Sequence, residues 1–269
     1  MKFCIIAVLV CTLSVKLVFS QEQPFVLGKI EKIKSKELAE TRTLNIYLPE
    51  GYSPDSAKTY PVIYLLDGSA NEDFIHVTGL VQFLTMIGAM PKSIVVGIAN
   101  IDRKRDFTFP TSIAADLKDF PTTGKSAGFI TFIEKELQPF VQQKYKTNES
   151  KTLIGQSLGG LLATEILLKK PALFTNYLII SPSLWWNNES LLNDIPKYVE
   201  NLKKTKASVF VAVGSEGKVM EDDAERLSEV LKSYQNLRVD FASLPSENHL
   251  TILHNALYKG LGWLYPKKN

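Results

Sequence analysis

The chain has 269 residues, 45% of them hydrophobic and 22% charged, a globular composition that excludes wholesale disorder and can fill a substantial core. Lys and Arg number 31 against 28 Asp and Glu, a formal net charge of +3, with no run of five like charges. That balance offers no grip on a nucleic-acid backbone, and no repeat of solenoid or propeller period is present.

In chain order, residues 1–20 read first, as a secretory signal peptide. Met1-Lys2 is a basic start, Phe3 to Val15 is an apolar run, and Val18-Phe19-Ser20 places small side chains at the −3 and −1 positions before Gln21. The run is shorter than the ~20 apolar residues of a membrane span. Leu9-Val10 ahead of Cys11 does not fit a lipidation site, which needs a small residue before the cysteine. Both cysteines, Cys4 and Cys11, fall in this segment, so the exported chain, 21–269, has no disulfide and no thiolate ligand or nucleophile. Removing Lys2 and Lys16 from the 31 basic residues leaves 29 against 28 acidic. The expectation is a nearly neutral periplasmic or extracellular protein without a membrane span.

The exported chain alternates between two periods. Arg42 to Leu48 has period-2 apolarity and reads as a half-buried strand, and Gly51 to Ser56 is turn chemistry. Pro61–Leu66, Ser93–Ile98, Thr152–Ile154, Tyr177–Ile180 and Val209–Val213 are continuous apolar runs, as strands buried on both faces require. Arg238–Ser243 reads as the last strand. Helical patterns fall around 73–88, 127–145, 158–170, 222–235 and 249–263. Strand alternating with helix predicts an α/β fold, a mostly parallel sheet with helices on both faces. Residues 25–48 are expected as antiparallel edge strands, and 21–269 as one domain. Residues 102–128 and 182–206 read as irregular loops following strands, where such folds place their working residues. Phe107, Phe109 and Phe120 in the first loop serve either a lid or an anchor.

Two segments match G-x-S-x-G. Gly155-Gln-Ser157-Leu-Gly159 lies between an apolar strand and a helical run, the strand-turn-helix context of a nucleophile elbow. Gly124-Lys-Ser126-Ala-Gly128 follows a loop and is a decoy. A serine hydroxyl needs a base. Of three histidines, His76 precedes the nucleophile and His254 lies in the final helix, so His249, in the loop after the last strand, fits the order Ser, acid, His of an α/β hydrolase. The acid belongs after Val209–Val213, where Glu216 comes first and Asp223 and Asp222 are alternatives; a Ser–His dyad also fits. Two backbone N–H groups should receive the oxyanion, those of Leu158 and Ser69, with Gly68 freeing the turn and Asp67 bracing it.

These pieces together resemble the esterase D-like esterase family of α/β hydrolases, from about Arg42 to Tyr265. Tyr64-Leu-Leu-Asp-Gly68, Val95-Val-Gly-Ile98 with Asn100, Arg103 and Arg105-Asp106, Gly155 to Gly160, Ile180 to Trp186 and Glu247-Asn-His249 carry the likeness. The Arg-x-Arg-Asp and Ser-Pro-Ser-Leu-Trp-Trp pieces look most like the bacterial siderophore-esterase branch. Leu250-Thr251 departs from the small residues relatives often have after the histidine. The resemblance implies a serine ester hydrolase without cofactor or metal, acting on a small-molecule ester, with Ser157 as nucleophile and His249 as base. Siderophore trilactones and cell-wall feruloyl or acetyl esters both fit an exported enzyme. Arg103 and Arg105 either hold an anionic or catecholate group or form an ion-paired brace. Trp185 and Trp186 either wall an aromatic acyl pocket or pack into and over the core. A non-catalytic binding module on the same scaffold and a serine peptidase are the competing classes.

Overall fold

The computed structural model describes residues 22–266, so the expected leader lies outside the described residues. Eight strands form one sheet: β1 (Lys29–Ser35), β2 (Glu40–Tyr47), β3 (Tyr60–Leu65), β4 (Ile94–Ile98), β5 (Thr147–Gln156), β6 (Asn176–Ile180), β7 (Ala207–Gly214) and β8 (Leu237–Leu244). Their order is β1-β2-β4-β3-β5-β6-β7-β8. β2 runs antiparallel to both β1 and β4, and every pair from β4 to β8 is parallel. The expected antiparallel edge is therefore present, and the fold is that of an α/β hydrolase.

The helices are α1 (Phe74–Met86), α2 (Arg103–Phe107), α3 (Ala114–Asp119), α4 (Ser126–Phe132), α5 (Gln138–Lys144), α6 (Leu158–Lys169), α7 (Trp186–Asn193), α8 (Val199–Lys204), α9 (Lys218–Lys232) and α10 (Ile252–Leu264). Alternating side chains of β3 divide between two cores. Val62 and Tyr64 pack with Phe129, Leu161 and Leu227 of α4, α6 and α9, while Ile63 and Leu65 pack with Val77 and Leu257 of α1 and α10. This is why the central strands read as unbroken apolar runs: both faces leave water, each large side chain contributing about 1.5–3 kcal/mol.

Two expectations need correction. The segment 102–128 is not irregular throughout; it contains α2, which Asp102 caps by accepting the Arg105 N–H at 3.0 Å, and α3. Phe107 and Phe109 are buried, so this segment is anchored to the core. Likewise 182–206 contains α7 and α8. Both were missed because helices of five to eight residues carry too few turns to show a period. The expected helix 127–145 is interrupted by a π-helical turn, Ile133–Leu137, just before Pro139, which cannot donate a backbone hydrogen bond. Among the described residues no helix is long and apolar enough to cross a membrane.

Arg42 of β2 is fully buried and ties α2 to the sheet edge. Its Nη1 donates to Glu40 Oε1 and Asp106 Oδ2, each at 2.8 Å, and its Nη2 to the Ala99 carbonyl at 3.1 Å. Arg105 closes the network, donating from Nε to Asp106 Oδ1 at 2.7 Å and from Nη2 to Glu40 Oε1 at 2.8 Å. Of the two readings left open for Arg105, the structure supports the brace. Asp106→Ala should lower the unfolding free energy by about 3 kcal/mol, because it strands a buried guanidinium; urea denaturation followed by fluorescence measures the loss.

Candidate active site

The six parallel strands bring their following loops to one edge of the sheet, and an open cleft of about 420 Å³ lies there. Ser157, Gln156, His249 and Leu250 reach it from the loops after β5 and β8. Asp67, Glu72, Asp73 and Arg103 reach it from the loops after β3 and β4.

Ser157 occupies the single residue between β5 and α6, at φ 60 and ψ −121. A non-glycine residue seldom adopts that backbone, which is held here by its neighbours. Its N–H donates to the Ile180 carbonyl at 3.0 Å, and its own carbonyl accepts from Leu161 and Ser183 N–H, each at 3.0 Å. A Cβ at Gly155 would strike the Gly159 carbonyl, and one at Gly160 would lie 2.9 Å from Pro182 Cα. Gly155 thus lets the end of β5 lie against the start of α6, and Gly160, just past the motif, lets α6 approach the end of β6 and the loop after it. Ser157 Oγ lies 3.3 Å from Ser183 Oγ, a neighbour that sequence reasoning did not single out. Ser126 is buried at the start of α4 and does not line the cleft.

His249 is positioned twice. Gln156 Nε2 donates to its backbone carbonyl at 2.5 Å, and its ring Nδ1 lies 2.5 Å from Glu216 Oε2. Glu216 is itself held through Oε1 by Ser181 Oγ at 2.5 Å and the Gly214 N–H at 2.9 Å. Burial alone would raise the Glu216 carboxyl, but the hydrogen bonds from His249, Ser181 and Gly214 outweigh it and bring it below its ordinary value. An ionised acceptor at Nδ1 places the ring proton there and leaves the Nε2 lone pair free. Asp222 pairs with Lys218, and Asp223 faces Glu189 and Arg226 rather than the imidazole. Ser181 and Gln156 complete this arrangement; neither was singled out from sequence, although both sit in the quoted motifs.

Leu158 is the first residue of α6, so its N–H has no intrahelical acceptor. The Ser69 N–H is already engaged: it donates to Glu72 Oε2 at 3.1 Å. The expected pair of free donors is corrected to one free and one occupied. Gly68 is tightly held, its N–H on the Ile98 carbonyl at 3.0 Å. Asp67 braces the loop as expected, receiving Arg103 Nε at 2.6 Å and Nη2 at 2.9 Å and Asn100 Nδ2 at 2.7 Å.

The two tryptophans do not wall the cleft. Trp186 is fully buried and donates from Nε1 to the Phe109 carbonyl at 2.9 Å, which makes it a core residue. Trp185 is half-buried and packs against Phe120 and Trp186, with ring centroids 6.1 Å apart in each case. Of the expected substrate contacts, Arg103 alone reaches the cleft. Among the described residues no group of three or more His, Cys, Asp or Glu is arranged to hold a metal ion.

Fold and cleft define a hydrolase of the α/β class. The family model described as "Putative esterase" matches residues 35–255, and the chain belongs to that esterase family, grouping with its siderophore-esterase branch. The ferri-bacillibactin esterase BesA of Bacillus subtilis (strain 168) is 33% identical over 240 residues, covering 80% of this chain and 82% of that one. An IroE-like serine hydrolase from Shewanella oneidensis superposes with a TM-score of 0.81 at 32% identity, over 88% of this chain and 80% of that one. The BES protein from Bacillus cereus gives 0.80 at 32% identity, over 94% and 100%.

Asp223 sharpens the assignment of the carboxylate beside His249. Burial, then repulsion from Glu189, pushes its carboxyl up to about 6 from the usual 3.8, and its Oδ2 has no partner among the described residues. The folded state therefore holds this proton more tightly than the unfolded chain, and stability falls as pH rises between those two values. Asp223→Asn should raise the melting temperature above pH 6, leave it unchanged below about pH 4, and preserve ester hydrolysis. Melting curves across that range measure the first two effects.

Proposed function

We propose that the chain is an exported serine carboxylic ester hydrolase, with residues 21–269 as its catalytic domain, that cleaves siderophore trilactone esters through an acyl-enzyme. The observation that carries this reading is the Glu216–His249 contact at 2.5 Å in the same cleft as a serine held at positive φ. Names of relatives support the substrate class: BesA is a ferri-bacillibactin esterase, and other relatives are named for enterobactin and triacetylfusarinine C. The reading of residues 1–20 as a leader supports export.

In this mechanism Ser157 Oγ attacks the ester carbonyl carbon while His249 Nε2 accepts its proton. Glu216 stabilises the imidazolium without taking the proton itself. The carbonyl oxygen becomes an oxyanion facing the Leu158 N–H and, once Glu72 has moved, the Ser69 N–H. The tetrahedral intermediate expels the alkoxide, which leaves as an alcohol with the proton from His249. Water then attacks the acyl-Ser157 ester with His249 again as base, releasing the carboxylic acid and restoring the serine hydroxyl. Among the described residues lining the cleft none is Phe, Tyr or Trp, which disfavours a feruloyl-type substrate.

Fluorophosphonate labelling, read by intact mass and peptide mapping, should give one adduct on Ser157. Ser157→Ala should abolish both labelling and hydrolysis while leaving the circular dichroism unchanged, whereas Ser126→Ala should change neither. Glu216→Gln should lower kcat by about 10⁴, as expected when a triad carboxylate no longer fixes the imidazole tautomer. Full activity in Ser157→Ala overturns the reading.

A further inference from the structure

We propose that the Ser183 hydroxyl is a second hydrogen-bond donor to the reacting oxygen of Ser157, and that it speeds release of the acyl group rather than its capture. This rests on the reading of Ser157 as nucleophile and of His249 as base.

Ser183 ends the segment Ser181-Pro182-Ser183 that follows β6, and its backbone is fixed at both polar groups. Its N–H donates to the Ser157 carbonyl at 3.0 Å, and its carbonyl accepts the Trp186 N–H at 3.3 Å. Pro182 lies so close to α6 that a Cβ at Gly160 would come within 2.9 Å of its Cα. Ser181, on the other side of the proline, holds Glu216 through its Oγ at 2.5 Å. One three-residue segment therefore reaches both the acid and the nucleophile.

Ser183 is only 3% exposed, and among the described residues the partner of its Oγ is Ser157 Oγ at 3.3 Å. A buried hydroxyl is costly to leave unpaired, so this contact is where its proton goes. A hydroxyl has one proton to give and two lone pairs to accept with. The Ser157 proton passes to His249 Nε2 in the reaction, so the proton between the two serines belongs to Ser183. In the acyl-enzyme the direction is forced. Ser157 Oγ is then an ester oxygen without a proton, and Ser183 is the one of the pair that can donate. The contact is long for O–H···O and tightens as Oγ gains charge.

The two half-reactions use this donor unequally. In deacylation the water oxygen bonds to the acyl carbon and the C–Oγ bond then breaks. The electron pair of that bond goes to Oγ, and His249 Nε2 returns to it the proton taken from the water. Ser183 keeps its own proton throughout. Its hydrogen bond strengthens from a weakly accepting ester oxygen to a leaving oxygen that carries charge, so it lowers this barrier. In acylation Oγ starts as a hydroxyl, which already accepts well, and donation to it weakens the nucleophile, so little is gained.

The test follows hydrolysis of 4-nitrophenyl acetate by the purified protein, with stopped flow for the two steps and intact mass for the acetyl-enzyme during turnover. Ser183→Ala should slow deacylation about tenfold while kcat/KM, which reports acylation, changes by less than about threefold. kcat and KM then fall together, and the acetylated fraction of the protein rises. Ser183→Cys, which fills the buried site with a weaker donor, should show the same selective loss. Unchanged deacylation, or equal losses in the two steps, in either variant overturns the proposal and makes Ser183 a brace of its loop. Ser157→Ala run in parallel separates the two levels. Its inactivity upholds the nucleophile whatever Ser183 does, and its full activity overturns that reading and this proposal together.

Discussion

The turn between β5 and α6 is the constraint on which the rest of the molecule depends. Strand and helix approach so closely there that Gly155 has no room for a Cβ, and Gly160 has none because α6 lies against Ile180 and Pro182. Ser157 between them is held at φ 60, a conformation costing on the order of 1–3 kcal/mol for a side-chain-bearing residue. What offsets the strain is the burial of α6, whose residues from Leu158 to Leu168 are all in the interior. The parallel register then does the rest. β3, β5, β6, β7 and β8 end on the same edge, so Asp67, Ser157, Ser181, Glu216 and His249 converge without sequence proximity.

Two guanidinium–carboxylate networks hold the loops of that edge, and they differ in burial. Arg42 and Asp106 are almost wholly removed from water, and with Glu40 and Arg105 they satisfy one another at four contacts of 2.8 Å or less. Such a group contributes little net stability relative to apolar packing, but removing one member leaves the others desolvated and unpaired. Its effect is to fix where α2 lies. The Asp67–Arg103 pair is more exposed, with Arg103 about a third accessible, and it opens onto the cleft. The first network holds the loop in place; the second lines the cleft.

How much of this was legible in the sequence follows from the range of the interactions involved. The sheet strands were readable because burial on both faces writes an unbroken apolar run, as in Tyr60–Leu65. The elbow was readable because the glycine spacing is a local steric requirement. His249 and Glu216 were placed by their order after the last two strands, which is topology rather than contact. The missing parts are contacts between segments far apart in the chain. Ser181 reaches Glu216 across 35 residues, and Gln156 reaches His249 across 93. Glu72 was missed for a different reason. Ser69-Ala-Asn-Glu72 has the form of a helix-capping pair, and a capping contact leaves no sign that the same N–H lies in a cleft. The tryptophans misled because an indole after a strand fits a pocket wall and a core equally well, and only the carbonyl of Phe109, 77 residues away from Trp186, decides between them.

Gln156 shows how closely the parts are coupled. It is the first of the two variable residues of the G-x-S-x-G motif, where spacing alone demands nothing of the side chain. Yet its carbonyl receives Arg103 at 3.2 Å and its side-chain amide donates to the His249 carbonyl at 2.5 Å. One residue adjacent to Ser157 therefore joins the guanidinium–carboxylate half of the cleft to the imidazole half. A shift of Arg103 away from Asp67 would be felt at the backbone beside the serine, and a shift of the β8–α10 loop would be felt through the same residue. The position of His249 relative to Ser157 is thus governed by a main-chain neighbour of the serine rather than by the imidazole's own loop alone. That is a physical reason for a long, hydrogen-bonding side chain at a position the motif leaves open.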